Sequence, residues 1–349
     1  MPPALAQRTL ELVDIPSVSR DEAEALAYVA AEVRLPLVHS SEGAQLYAPE
    51  RTGRPVVLLA GHVDTVPEQG NLPGRIEDGW VVGLGASDMK GGVAVMIELA
   101  GWVTDAPRLA FDPAFLFFAR EELALEESPL PDVFERAPLV REAELVIVLE
   151  PTDNALHLGC LGSINASLTF RGRSAHAARP WQGENAIAAA VAALVPVVAV
   201  EPLEVDVAGL TFTEVLTVTQ IHGGVADNVV PDLVTARLNY RYAPGRTPEE
   251  AEARLRELAP GIEVHANSPA AHVPEASPLL ERLREIGGFE RLPKQAWTPV
   301  AQFAAQGLDA VNLGPGATRY AHQRDERVEI VELERTFDAL RRFLSASGG

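Results

Sequence analysis

Val56-Val57-Leu58-Leu59-Ala60 runs directly into Gly61-His62-Val63-Asp64-Thr65-Val66-Pro67. The first five residues are wholly apolar, which is the mark of a strand covered on both faces in a parallel sheet. In an open α/β sheet, ligands bind beyond the carboxyl ends of the strands, and this strand delivers His62 and Asp64 there. The two are two residues apart and share a face if the strand continues. Asp64 can then accept the second ring N–H of His62 and fix its tautomer for metal binding.

Three more apolar runs repeat the pattern at residues 114–119, 145–149 and 310–313. Residues 22–33, 92–102, 278–286 and 332–344 read as helices, and strands alternating with helices imply an α/β layered sheet. The middle of the chain reads differently. Ile164, Ala166, Leu168 and Phe170 alternate with polar neighbours; so do Val234, Ala236, Leu238, Tyr240 and Tyr242. Between them lie an Ala-rich helical stretch at 185–199 and a β-like run at 215–221. Thr247-Pro248-Glu249-Glu250 then opens a helix, with Thr247 as N-cap and Glu250 closing a capping box. A short strand at 262–265 ends the unit. The order β-α-β-β-α-β is that of a ferredoxin-like sandwich. The expected organisation is an α/β domain of residues 1–161 and 269–349, interrupted by an α+β domain of residues 162–268. At 349 residues, two domains are also the natural division.

Composition narrows the chemistry. Lys and Arg total 29 against 49 Asp and Glu, a net charge of −20. Such a surface repels nucleic acid and anionic membranes, so neither is expected as a partner. The single cysteine, Cys160, excludes an intrachain disulfide and a Cys-based zinc site. Any metal must be held by His, Asp and Glu. Residues 1–19 lack the basic start and apolar core of a signal peptide, and no apolar run is long enough to span a bilayer. A soluble, cytoplasmic protein is expected.

Carboxylates and a histidine stand after the other strands. Glu121-Glu122 follow 114–119, Glu150-Pro151-Thr152 follows 145–149, and His322 lies in the loop beyond 310–313, past Gly314-Pro315-Gly316. Asp88 sits in the glycine-rich Gly85-Ala86-Ser87-Asp88-Met89-Lys90-Gly91-Gly92. Gly83-Leu84-Gly85 is no dinucleotide loop, because Asp88 stands where the third glycine is needed. Each residue alone has an ordinary explanation; Asp88, for instance, suits a helix cap. Adjacent carboxylates past an apolar strand are costly without a cation or shared proton. Together, two histidines and three carboxylates suit a pair of zinc ions sharing one carboxylate.

At this point the chain resembles the dinuclear zinc amidohydrolases that include succinyl-diaminopimelate desuccinylase, acetylornithine deacetylase, aminoacylase and carboxypeptidase G. The resemblance covers almost the whole chain. It implies two Zn2+, with Co2+ as a substitute: His62, Asp88 and Glu150 hold one, and Asp88, Glu122 and His322 the other. It further implies Glu121 as general base, Asp64 as orienter of His62, and an inserted domain that closes over the site and dimerises the protein. His176, in Gly172-Arg173-Ser174-Ala175-His176, matches the histidine that stabilises the oxyanion in a neighbouring subunit. Asn228 and Arg241 match lid positions that bind a substrate carboxylate, and Arg179 is a further candidate.

The implied reaction is hydrolysis of the amide of an N-acylated amino acid. The phrases Leu149-Glu150-Pro151-Thr152, Val311-Asn312-Leu313-Gly314-Pro315-Gly316 and Ala321-His322-Gln323-Arg324-Asp325-Glu326-Arg327-Val328 resemble the actinobacterial succinyl-diaminopimelate desuccinylases, which implies N-succinyl-LL-2,6-diaminopimelate as substrate. Trp297-Thr298-Pro299-Val300-Ala301-Gln302-Phe303 departs from that branch, which carries Asp at Pro299 and Arg at Gln302. An N-acetyl-ornithine or N-acetyl-lysine deacetylase, a dipeptidase, and a non-catalytic zinc-binding relative are the alternatives.

Overall fold

In the computed structural model, the chain opens with helices α1 (Ala4–Asp14) and α2 (Ala23–Glu32). The described residues are 4–105, 108–275 and 277–346; residues 1–3, 106–107, 276 and 347–349, all within the expected outer domain, lie outside them. Helix α1 buries Leu5, Ala6, Thr9, Leu12 and Val13, one stripe at helical spacing. A hairpin, β1 (Leu37–Ser41) and β2 (Ala44–Tyr47), precedes the first core strand, β3 (Val56–His62). Then come β4 (Arg75–Glu77), β5 (Trp80–Val82) and helix α3 (Gly91–Asp105). Helix α3 is apolar almost all round, so it is buried on nearly every face.

Strand β6 (Asp112–Phe118) leads to short helices α4 (Leu130–Arg136) and α5 (Pro138–Arg141), and then to β7 (Ala143–Val148) and β8 (Leu156–Leu158). The middle of the chain forms β9 (Gly162–Arg171), α6 (Ala186–Val198), β10 (Leu203–Val207), β11 (Leu210–Gly223), β12 (Leu233–Tyr242), α7 (Pro248–Leu258) and β13 (Glu263–Ser268). Helix α8 (Pro278–Gly287), β14 (Arg291–Pro293), α9 (Val300–Ala304), β15 (Ala310–Asn312), β16 (Arg327–Glu329) and α10 (Ile330–Leu344) complete it.

The chain divides into two compact units: Met1–Leu158 with Pro274–Leu292 and Thr298–Gly349, and Gly159–Val273 with Pro293–Trp297. The second unit takes in Pro293–Trp297, which the sequence reading left in the outer domain. The reason lies in its hydrogen bonds. The Lys294 carbonyl accepts from the Leu161 amide at 3.3 Å, Gln295 bonds the backbone of Thr211 and Thr213, and the Trp297 indole donates to the Pro269 carbonyl at 3.2 Å.

In the first unit, eight strands lie in the order β1-β2-β6-β3-β7-β15-β8-β14. The four strands read from the sequence form its centre, and β6-β3, β3-β7 and β7-β15 are parallel. Strands β3 and β6 are buried at every position, as their uninterrupted apolar runs require. Register aligns their carboxyl ends, with His62 beside Phe118 and Ala60 beside Val148. The residues that follow β3, β6 and β7 are therefore delivered to one edge.

In the second unit the sheet order is β10-β11-β12-β9-β13, with every neighbouring pair antiparallel. This is the expected ferredoxin-like arrangement with one extra edge strand, β10. Ile164, Ala166, Leu168, Val234, Ala236, Leu238, Tyr240 and Tyr242 pack in its core with residues of α6 and α7, so the alternation named the buried face correctly. Both halves of the Thr247–Glu250 capping box form, at 2.9 and 3.2 Å. No helix among the described residues is long and apolar enough to cross a membrane.

Candidate metal centre

Asp88 lies between two histidines. Its Oδ1 is 3.3 Å from His62 Nε2 and its Oδ2 is 3.5 Å from His322 Nε2, so one carboxylate turns an oxygen to each ring. Around this bridge the other acids divide. Glu150 Oε1 is 3.9 Å from His62 Nε2, while Glu122 Oε1 is 2.9 Å from His322 Nε2. One donor atom each from His62, Asp88 and Glu122 all fall within 4.8 Å of one another. Two imidazoles and three carboxylates, with no thiolate, make a nitrogen and oxygen donor set that fits a pair of divalent cations.

The loops that carry these groups are held from behind. Asp64, fully buried, accepts from Ser19 Oγ at 2.7 Å and from the amides of Glu121 and Glu122 at 3.1 and 3.2 Å. Strand β3 ends at His62, so Asp64 stands in the loop beyond it. His62 Nδ1 meets the Asp64 carbonyl at 3.1 Å and Oδ1 at 3.4 Å. Asp64 thus holds the ring of His62 and also the backbone that presents Glu121 and Glu122.

The Asp88 turn is fixed by close approach. Gly85 has φ +77°, and a Cβ there would lie 2.7 Å from the Thr65 side chain. A Cβ on Gly314 would lie 2.3 Å from the Leu149 carbonyl, so only glycine lets this loop run beside Glu150. Lys90, buried in the same turn, donates to the Ile15 carbonyl at 2.8 Å, and burial lowers its ammonium to about 8.

The electrostatics follow from crowding acids in a dry place. Burial drives the Glu121 carboxyl well above its ordinary value; the pull of nearby His62 opposes this, and the charges of Glu150, Glu122 and Asp88 add to it. Burial also acts to raise Asp88, but hydrogen bonds from His322 and His62 hold it well below the usual carboxylate range. Asp64 is likewise held low against burial by His62, Ser19 and the Glu121 amide. His322 is raised to about 10 by Asp88 and Glu122. Carboxylates that hold protons on these rings hold a divalent cation when the rings are neutral.

All seven residues read from the sequence for this centre meet here: His62, Asp64, Asp88, Glu121, Glu122, Glu150 and His322. The other four lie in the second unit. The exposed His176 accepts the Ala178 amide at its Nδ1 (3.1 Å), which leaves Nε2 to carry the proton of the neutral ring. The Ala177 amide donates to the Asn228 carbonyl at 2.8 Å, and the Arg179 amide to the His176 carbonyl at 2.8 Å, so these three share one loop cluster. Arg241 stands apart on β12. Its Nε donates to Asn239 Oδ1 at 2.7 Å, and it has no ion pair among the described residues.

The sequence reading missed Ser19 and Glu326. Glu326 receives the amides of Gly85, Ser87 and Asp88. No spacing rule links either residue to its partner, since 45 and about 240 positions separate them. Replacing Asp64 by alanine removes the acceptor for all of its donors at once. The expected result is a loss of about 10–100-fold in kcat/KM or metal affinity, as for other groups that orient ligands, checked by kinetics alongside metal analysis.

The sequence profile of peptidase family M20/M25/M40 matches residues 58–346. A Mycobacterium tuberculosis protein provisionally named succinyl-diaminopimelate desuccinylase is 36% identical over 96% of both chains. The succinyl-diaminopimelate desuccinylase of Corynebacterium glutamicum is 33% identical over 97% of this chain and 95% of its own. Among solved structures, an M20 family metallo-carboxypeptidase from Sulfolobus solfataricus superposes with a TM-score of 0.77 over 98% of both chains at 18% identity, a likeness of fold. With a group of side chains that could hold a metal ion and a family match over most of its length, this chain belongs to peptidase family M20/M25/M40 and is a metal-dependent amidohydrolase.

Proposed function

We propose that the protein hydrolyses the amide bond of N-succinyl-LL-2,6-diaminopimelate, giving succinate and LL-diaminopimelate for lysine biosynthesis in the cytoplasm. The observation that carries the reaction class is the Asp88 carboxylate shared between His62 and His322. The substrate is supported by relatives of that name, similar over nearly the full chain. In this reading two Zn2+ are held, one by His62, Asp88 and Glu150 and the other by Asp88, Glu122 and His322. Bound there, the pair supplies Lewis acidity for the scissile carbonyl and lowers the pKa of a coordinated water.

The chain's own groups do the rest. Glu121, whose carboxyl is pushed up by burial, takes a proton from the attacking water and returns it to the leaving amine nitrogen as the C–N bond breaks. His176 of a second copy offers its Nε2–H to the developing oxyanion. Arg241, partly desolvated and without an acidic partner among the described residues, takes a substrate carboxylate, and Asn228 and Arg179, which share the His176 loop cluster, reach it from the second copy. A guanidinium fork suits a carboxylate and counters, locally, the repulsion of a chain of charge −20.

A second reading, deacetylation of N-acetyl-ornithine or N-acetyl-lysine, draws on one observation. Gln302 stands where the resembling branch carries Arg, and it accepts from Ser128 Oγ at 3.0 Å. A neutral side chain engaged within the chain favours an acyl group without a second carboxylate. Hydrolysis of the succinyl and the two acetyl substrates by zinc-reconstituted protein separates these readings. Strong preference for the succinyl substrate supports the first, and preference for an acetyl one replaces it with the second.

A homodimer through the second unit is part of the same proposal. Along α6, Ile187, Val191, Val195 and Val198 are 43, 56, 58 and 64% exposed, one apolar stripe turned to solvent. Strand β11 pairs with β10 only as far as Glu214, leaving that edge of Val215–Gly223 without a partner strand among the described residues. Both features suit a self-complementary contact. Val191→Glu combined with Val195→Glu is expected to give a monomer by light scattering; a dimer mass for that variant contradicts the α6 interface.

A further inference from the structure

Glu326 is 1% exposed, and both of its carboxylate oxygens face amides of the Asp88 turn. Oε2 accepts from Gly85 at 2.9 Å, and Oε1 accepts from Ser87 at 3.1 Å and Asp88 at 2.9 Å. Its own carbonyl accepts from the Gly83 amide at 2.9 Å. The segment that carries His322 is therefore also the one that grips the turn carrying Asp88. That segment is docked in turn, because Gln69 Nε2 donates to the His322 carbonyl at 3.1 Å and Asn71 Nδ2 to the Gln323 carbonyl at 3.2 Å.

A buried carboxylate is an expensive way to satisfy amides, and here it adds a negative charge to a site already crowded with them. The amides of Ser87 and Asp88 lie in the turn Ala86–Lys90, where Asp88 and Met89 depart from helical backbone geometry, and they have no carbonyl partner there among the described bonds. Only an acceptor with two oxygens takes three convergent N–H groups. A carboxamide in the same place turns an NH2 toward one of them, setting donor against donor.

We propose that Glu326 is a positioning residue for the shared metal ligand. It fixes the Gly85–Asp88 backbone so that the Asp88 carboxylate stands with one oxygen toward each histidine. The inference rests on the reading of Asp88 as the ligand common to both metals. It assigns to Glu326 a role in metal binding rather than in contact with substrate.

The test is titration of the metal-free full-length chain with Co2+ alone, against a competing chelator, with visible spectra recorded. Glu326→Gln is expected to raise the apparent Kd of at least one ion by about 10–100-fold and to alter the cobalt spectrum. Asp112→Asn serves as the control. Asp112 caps residues 52–53 at the start of β6, the end remote from Glu121, and this variant should lose thermal stability while keeping wild-type cobalt binding. Should Glu326→Gln not fold, Glu326→Asp is titrated instead; it keeps the charge but withdraws it by one methylene, and the same direction is expected. Wild-type affinities and spectrum in a folded Glu326 variant would overturn the proposal, as would an equal loss in the control. Undiminished binding of two ions by Asp88→Ala would overturn the shared-ligand reading itself, and the inference with it.

Discussion

Glu121→Ala is expected to retain its metal and lose about 10²–10⁴-fold in kcat, the range typical of a positioned proton-transfer group. Glu121 lies beside the ligands in sequence, yet among the described residues no histidine ring nitrogen approaches it as one approaches Asp88, Glu122 or Glu150. Its carboxyl is raised by burial and by the neighbouring acids, against the pull of His62, and perturbation of this kind marks groups that take and return protons. Removing it should leave the donor set untouched, because its backbone amide, not its side chain, is what Asp64 holds. Metal analysis and steady-state kinetics on one preparation check both halves. Near-wild-type turnover would remove Glu121 from the role of base. Loss of metal together with activity would make it a ligand instead.

Asp88→Ala should be more damaging. Both groups of donors lose a member, so metal affinity falls at two positions rather than one. The expected loss of activity is about 10⁴-fold or more, since Lewis-acid stabilisation contributes several kcal/mol and each 1.36 kcal/mol is tenfold. A second readout is thermal. Metal at 100 times its Kd stabilises a folded chain by about 2.7 kcal/mol, so added zinc should raise the Tm of the native protein and scarcely move that of Asp88→Ala. A variant that still responds fully to zinc would show that Asp88 is not shared.

The residues at strand ends were legible in the sequence for a definite reason. A strand buried on both faces must be apolar throughout, so His62 and Glu150 stand out as the first polar groups after such runs, and Glu121-Glu122 as the first acids, directly after Arg120. The ferredoxin-like unit was legible because one-sided burial forces alternation, as from Ile164 to Leu168 and from Val234 to Tyr242. Short pieces escaped. The hairpin β1-β2, and the sheet β16-β5-β4 with three residues in each strand, are too brief to show a period. The supports of the centre escaped too. Glu326 accepts from backbone amides far away in the chain, and such a bond leaves no mark on the identity of the residues that donate it; Ser19 donates its hydroxyl to the Asp64 carboxylate 45 positions on, which no spacing rule reveals.

The measurement that reaches the central claim most directly is anomalous scattering at the zinc edge from crystals of zinc-reconstituted protein. The account predicts two peaks per chain flanking the Asp88 carboxylate, one against His62 and Glu150 and the other against His322 and Glu122. A single peak, or zinc bound away from Asp88, would contradict it.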